Sequence, residues 1–132
     1  MFGTDERTPL TDAIVDELRR REHDVAVVAE GEQWADVGRA VGEAVAAGEA
    51  DRGVVCCWTG TGVSMAANKV SGVRAALCTD AETARGARTW NDANVLALSL
   101  RLTTEPLVKE MLHAFLVTEP DEDEREQIAR VG

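Results

Sequence analysis

Val54-Val55-Cys56-Cys57-Trp58-Thr59-Gly60-Thr61-Gly62-Val63-Ser64-Met65-Ala66-Ala67-Asn68-Lys69 is the stretch on which the reading of this chain turns. A β-branched run ends in a thiol, a glycine turn follows at once, and a helix of small residues begins. Strand, turn and helix in that order put Cys57 at the carboxyl edge of an open α/β sheet, the edge where such sheets bind ligands. The thiol then stands beside a cradle of backbone N–H groups at the positive end of a helix dipole. Cys56 is its neighbour on a strand and points to the opposite face. It reads as core, and so does Cys78.

Outward from this stretch, helical and extended patterns alternate. Pro9 to Arg21 carries Leu10, Ile14 and Leu18 at spacing four, with Thr8 as N-cap. Val25 to Val28 reads as a short buried strand, and Trp34 to Ala47 as a helix stopped by Gly48. Gly53–Cys57, Val73–Leu77 and Asn94–Leu98 read as further strands. Helices are expected over Gly62–Val70, from the cap Asp80 to about Arg88, and over Thr104–Leu116. Met1-Phe2-Gly3 is where a first strand belongs, so that strand is very short, or the chain starts later than its relatives do. Continuously apolar strands separated by helices predict a parallel sheet covered on both faces. The expectation is one domain over 1–132, a three-layer α/β/α Rossmann-like fold with a five-stranded parallel sheet. Residues 117–132 would form a charged tail or helix.

The chain has 132 residues, 45% of them hydrophobic and 29% charged, which suits a globular protein with a real core. A net charge of -10 argues against nucleic acid or an anionic membrane as the main partner. No apolar run is long enough to span a bilayer and no secretory leader is evident, so a cytoplasmic protein is expected. Three cysteines without an export signal do not suggest a disulfide framework.

Other chemistries find little support. Gly60-x-Gly62 is followed by Met65 where a dinucleotide fingerprint needs Gly or Ala. Adjacent cysteines and only two histidines, His23 and His113, do not make a zinc site. Core burial is the simplest expectation for Trp34. Trp58 lies inside the glycine turn and favours a pocket or an interface, and Trp90 adjoins another polar loop.

The residues resemble the ribose-5-phosphate isomerase B / galactose-6-phosphate isomerase family. The resemblance runs from Gly3-Thr4-Asp5 to Leu116. It is carried by Gly48-Glu49-Ala50-Asp51-Arg52-Gly53, by Cys57-x-Thr59-Gly60-x-Gly62-x-Ser64-x-Ala66-Ala67-Asn68-Lys69, by Gly72-Val73-Arg74-Ala75-Ala76-Leu77-Cys78 and by Asn91-Asp92-Ala93-Asn94-Val95-Leu96-Ala97. It implies aldose–ketose isomerisation of a sugar phosphate without metal or organic cofactor, ribose 5-phosphate being the default substrate. It also implies a homodimer, or a dimer of dimers, whose active sites are completed by the partner. Cys57 matches the base and Thr59 the hydroxyl that moves protons between O1 and O2. The amides of Gly60, Thr61, Gly62, Val63 and Ser64 match an anion hole. Asp5 and Asn91 match residues that hold the sugar, and Arg101 and Arg130 match phosphate-binding arginines.

The departures are specific. Glu6 and Trp90 stand where the family has histidines, the latter being the one credited with opening the furanose ring. Glu126 stands where a phosphate-binding arginine is expected, and Trp58 replaces a glycine. Such changes suit an acyclic tetrose phosphate such as erythrulose 4-phosphate, which needs no ring opening. They also suit a non-catalytic, sugar-phosphate-binding subunit of a hetero-oligomer.

Overall fold

The computed structural model describes residues 1–132. In chain order it contains β1 (Phe2–Thr4), α1 (Pro9–Arg20), β2 (Val27–Glu30), α2 (Trp34–Ala46), β3 (Gly53–Cys57) and α3 (Thr61–Asn68). There follow β4 (Ala75–Leu77), α4 (Ala81–Asn91), β5 (Val95–Ser99), α5 (Glu105–Val117), a 3₁₀ turn over Glu122–Glu124, and α6 (Arg125–Val131). The five strands are parallel and lie in the order β2-β1-β3-β5-β4, so the fold is the expected Rossmann-like α/β arrangement with a short first strand.

Local chemistry explains the helix ends. Thr8 accepts from the Thr11 amide, Thr11 accepts from the Thr8 amide, and Pro9 opens α1 at a position where its missing N–H costs the helix no hydrogen bond. Asp80 caps α4 through the Thr83 amide. At the end of α2, Gly48 takes φ +77°, its amide reaches Val45 O, and the Glu49 amide reaches Ala44 O. That paired closure satisfies carbonyls a helix end otherwise leaves open.

Strand alternation divides the core. Val54, Cys56, Leu96 and Leu98 pack with Ile14 and Leu18 of α1, Ala84 and Ala87 of α4, and Val108, Met111, Leu112 and Phe115 of α5. Val55, Cys57, Val95 and Ala97 pack with Val37, Val41 and Val45 of α2 and with Val63 and Ala67 of α3. The second layer is close because Gly38 has no side chain. A Cβ there would fall 2.6 Å from Ala66 Cβ and 2.7 Å from Val63 O. The helix after β1 thus covers one face and the helix after β3 the other. Neighbouring strands that send their helices to opposite faces open a crevice between them, the usual ligand site of such sheets.

Several boundaries differ from the sequence reading. β2 begins at Val27, not Val25, because β1 offers pairing only from Phe2, which aligns with Val27. It is an edge strand, and Val27 and Val28 are each 41% exposed rather than buried. β4 is cut to Ala75–Leu77, and α3 starts one residue earlier and ends two earlier than expected. Trp34 is 47% exposed and not core. The helix after Asp80 continues to Asn91, since no breaker intervenes before Asp92 closes it in the left-handed region at φ +47°. Trp90 and Asn91 therefore belong to a last helical turn, not to a polar loop.

Candidate active site

The crevice lies where β1, β3 and β5 end side by side. Thr4 is in register with Cys56, and Cys57 with Ser99. Asp5, Cys57 and the loop holding Arg101 therefore meet at one carboxyl edge.

Cys57 ends β3 with its side chain toward the α2/α3 layer and is 5% exposed. Cys56 faces the other layer, and full burial pushes its thiol far up, with Cys57 and Asp5 adding to the effect. Cys78 is raised to about 11 by burial and then by Asp80. Only Cys57 of the three adjoins a run of unclaimed amides. Gly60 adopts φ +80° and turns the chain into α3. A Cβ on Gly60 would fall 2.5 Å from Leu77 Cδ1 and 2.9 Å from the Leu98 carbonyl carbon, so strain and collision both demand glycine. The Ser64 amide closes on Gly60 O at 3.2 Å, and the Thr61 amide leans on Thr59 Oγ1 at 3.4 Å. The amides of Gly60, Gly62 and Val63 donate to no other group of the chain. They are the open donors of a helix start, aimed at the crevice end of α3. The Thr59 hydroxyl shares a 2.8 Å hydrogen bond with the Thr61 hydroxyl, at the same turn.

The turn is pinned from two sides. The Ser99 hydroxyl donates to Trp58 O at 2.9 Å and accepts from the Leu102 amide at 3.3 Å. The Leu100 and Arg101 amides donate to Cys57 O and Trp58 O, which ties the loop after β5 to the turn after β3. From outside, the Trp34 ring lies on Gly62, where a Cβ would come within 2.7 Å of Cε3. Sequence reasoning named neither Ser99 nor Trp34 as a support. Ser99 is the one polar residue closing an otherwise apolar strand, and that was its signal.

Across the crevice, the Asp5 amide donates to Cys56 O at 3.2 Å. Its carboxylate oxygen Oδ1 is buried and has no hydrogen-bond partner. Burial, followed by the neighbouring Glu6 carboxylate, raises the Asp5 pKa. An orphan acceptor of this kind is costly in a folded chain unless a ligand fills it. Glu6 is exposed beside it, its backbone looped onto the Thr4 hydroxyl.

Two predicted residues are not brought to this edge. Asn91 ends α4 next to the start of β5, and a five-residue strand spans about 16 Å, so Asn91 sits at the opposite, amino edge. Arg130 is on α6, where it is exposed and paired with Glu126 at 2.9 Å. The segment leading to α6 is anchored beside Asn91 by the Asp121 amide on Thr89 O at 2.8 Å. No three His, Cys, Asp or Glu side chains are grouped to hold a metal ion.

The family model described as Ribose/Galactose Isomerase matches residues 1–131. Galactose-6-phosphate isomerase subunit LacB of Clostridium acetobutylicum is 49% identical over 79 residues, 60% of this chain and 46% of that protein. D-erythrulose-4-phosphate isomerase of Pectobacterium atrosepticum is 41% identical over 86 residues, 65% of this chain and 57% of that protein. The matched region thus spans about half the length of these curated relatives. The structure of Clostridium thermocellum ribose-5-phosphate isomerase B superposes with a TM-score of 0.89 at 36% identity, covering 99% of this chain and 94% of that one. With residues 1–131 matched to the family model, the chain belongs to the ribose/galactose isomerase family.

Proposed function

We propose that the protein is an aldose–ketose isomerase of a sugar phosphate and that Cys57 is its base. The observation that carries the reading is the juxtaposition of Cys57 with the unclaimed amides of Gly60, Gly62 and Val63. Isomerisation requires both parts. Cys57 removes the C2 proton of the open-chain aldose phosphate, and that electron pair forms the C1–C2 double bond while charge moves to O1. The amides hold the resulting enediolate, and one such donor is worth about 3–4 kcal/mol. Thr59 passes the hydroxyl proton from O2 to O1, and Cys57 returns its proton to C1 to give the ketose. Asp5 Oδ1 accepts a sugar hydroxyl, with Glu6 beside it, and Arg101 meets the phosphate.

Asn91 and Arg130 act on a neighbouring subunit's site, in a homodimer or a dimer of dimers. Their position at the far edge, together with the anchoring of α6 near Asn91, supports that exchange. Exposed Trp34 and Met65, which border one shallow groove with Ala35 and Ala66, provide apolar surface for the contact. Three free thiols suit the cytoplasm. No helix is long and apolar enough to cross a membrane.

Ribose 5-phosphate is the default substrate. A tetrose phosphate is favoured by Trp58 and Trp90, 61% and 58% exposed, which add bulk where the family resemblance implies a glycine and a ring-opening histidine. A relative named as a subunit, LacB, keeps the non-catalytic hetero-oligomer reading in view. A coupled assay across four-, five- and six-carbon aldose phosphates separates these readings. Cys57→Ala should lower kcat by about 10²–10⁴-fold, the usual worth of a general base. Wild-type protein inert on all three lengths would leave only the non-catalytic reading.

A further inference from the structure

The amino edge of the sheet, remote from Cys57, carries a cavity of about 760 Å³. It is built where strands begin: Met1 precedes β1, Arg52 precedes β3, Arg74 precedes β4 and Asn94 precedes β5, while Arg88 enters from α4. Its volume lies within the small-molecule range of about 300–1,000 Å³. The catalytic reading uses none of these residues.

The three arginines are not equally satisfied. Arg88 is 2% exposed and bonds Asp92 Oδ1 at 2.7 Å, Ala93 O at 2.6 Å and Thr118 O at 3.0 Å. Arg74 takes the other Asp92 oxygen at 3.3 Å and Asp92 O at 2.8 Å. One carboxylate thus serves two guanidinium groups. Arg52 has no carboxylate within 4.0 Å and makes one side-chain hydrogen bond, to Phe115 O at 2.9 Å. Its guanidinium lies 5.6 Å from the centre of the Phe115 ring, and that of Arg88 lies 5.9 Å from it. Burial, and then the charge of Arg88, lowers the Arg52 pKa. The Met1 ammonium adds a further cation, donating to Arg52 O at 2.9 Å.

A guanidinium has five N–H donors in a planar fork that fits an oxyanion. Arg52 uses one of them inside a cavity, in a chain whose net charge is -10. Half-buried, with Glu119, Asp92 and Asp51 acting on it only from beyond pairing distance, it bears a desolvation cost that a directly bound anion would relieve. Asp24, Glu49 and Asp51 also line the cavity, and none pairs with a guanidinium there. Such carboxylates repel a highly charged polyanion but accept hydrogen bonds from hydroxyls. We infer that the amino-edge cavity is a second binding site, in which Arg52 receives the phosphate or carboxylate of a small hydroxylated metabolite. The inference does not rest on the isomerase reading.

Amide NMR of the full chain tests it. Inorganic phosphate and sodium acetate are titrated separately, with sodium chloride at matched ionic strength as control. The expected result is a saturating shift at the amides of Arg52, Gly53 and Asn94 with one of the two anions, which also says whether the site prefers phosphate or carboxylate. Arg52→Gln should weaken that binding at least about tenfold, and Arg52→Lys, which keeps charge but loses the fork, by less. Shifts at residues 60–64 report the carboxyl edge independently. The inference is overturned by no saturable amino-edge shift up to about 50 mM of either anion, by equal shifts with chloride, or by unchanged affinity in folded Arg52 variants.

Discussion

Two inward-facing carboxylates at opposite ends of the sheet are treated differently by the fold. Glu17, in the last turn of α1, has a side chain only 3% exposed and three hydrogen bonds from Arg20 and Arg21, at 3.0, 2.6 and 2.9 Å. Arg20, against the opposing cost of burial and with help from Arg21, holds its pKa down at about 2. Asp5, at the carboxyl edge, has an oxygen with no partner and a pKa displaced upward. Glu17 completes its polar contacts within the chain, and Asp5 leaves one open. An unfinished contact at a strand terminus, beside unclaimed amides, is what a binding site costs a stable fold.

The sharpest way to break this contrast is at the turn that creates the open amides. Gly60→Ala forces a side chain into left-handed backbone and against the Leu98 carbonyl. A loss of about 2–4 kcal/mol of stability is expected, measured by urea unfolding, with isomerase activity lost at temperatures where the protein remains folded. An unaltered midpoint would mean that the turn is not held as described.

Asp5→Asn tests the open end from the other side. Removing a charge whose Oδ1 is buried without a partner, on a residue otherwise partly exposed, should raise stability slightly while reducing kcat/KM on the sugar phosphate. The wild-type pKa sits above its unfolded value, so ionising Asp5 opposes folding, and stability from this group improves as pH falls through that range. Asn should flatten that dependence. A variant both less stable and fully active would sever the link between the orphan oxygen and the substrate.

Glu17→Gln should show the smallest effect on activity and the opposite sign in stability. Its folded pKa is depressed, so its contribution is complete above the unfolded value near 4.5 and fades as pH drops toward about 2. Acid unfolding curves of the variant should lose this dependence below about pH 4.5, with kcat unchanged at neutral pH. A change in kcat would show that the Glu17 contacts are not inert toward catalysis.

How much of this was legible beforehand depended on how local each feature is. The thiol, the glycine turn and the small-residue helix are contiguous, so their meeting at one edge follows from the chain path alone. The partition of Cys56 and Cys57 between faces follows from strand alternation. Val25 to Val28 misled because an apolar run does not say whether its strand lies at the edge of a sheet or inside it. Asn91 misled differently. Its helix ends only where Asp92 accepts a left-handed conformation, a tertiary choice that the residue pattern permits but does not demand. Nor did sequence spacing announce the arginine cavity, since Met1, Arg52, Arg74, Arg88 and Asn94 converge only after every crossover is made.

Gly38 lies well away from any reacting atom, yet it determines how deeply α3 is seated against its neighbour. The helix that offers the amide cradle is thereby clamped from behind. A methyl group added at position 38 would lever the whole rod outward and detune the oxyanion geometry without touching it. Redesign for longer or shorter sugars has more freedom at Glu6 and Trp58, whose side chains face solvent.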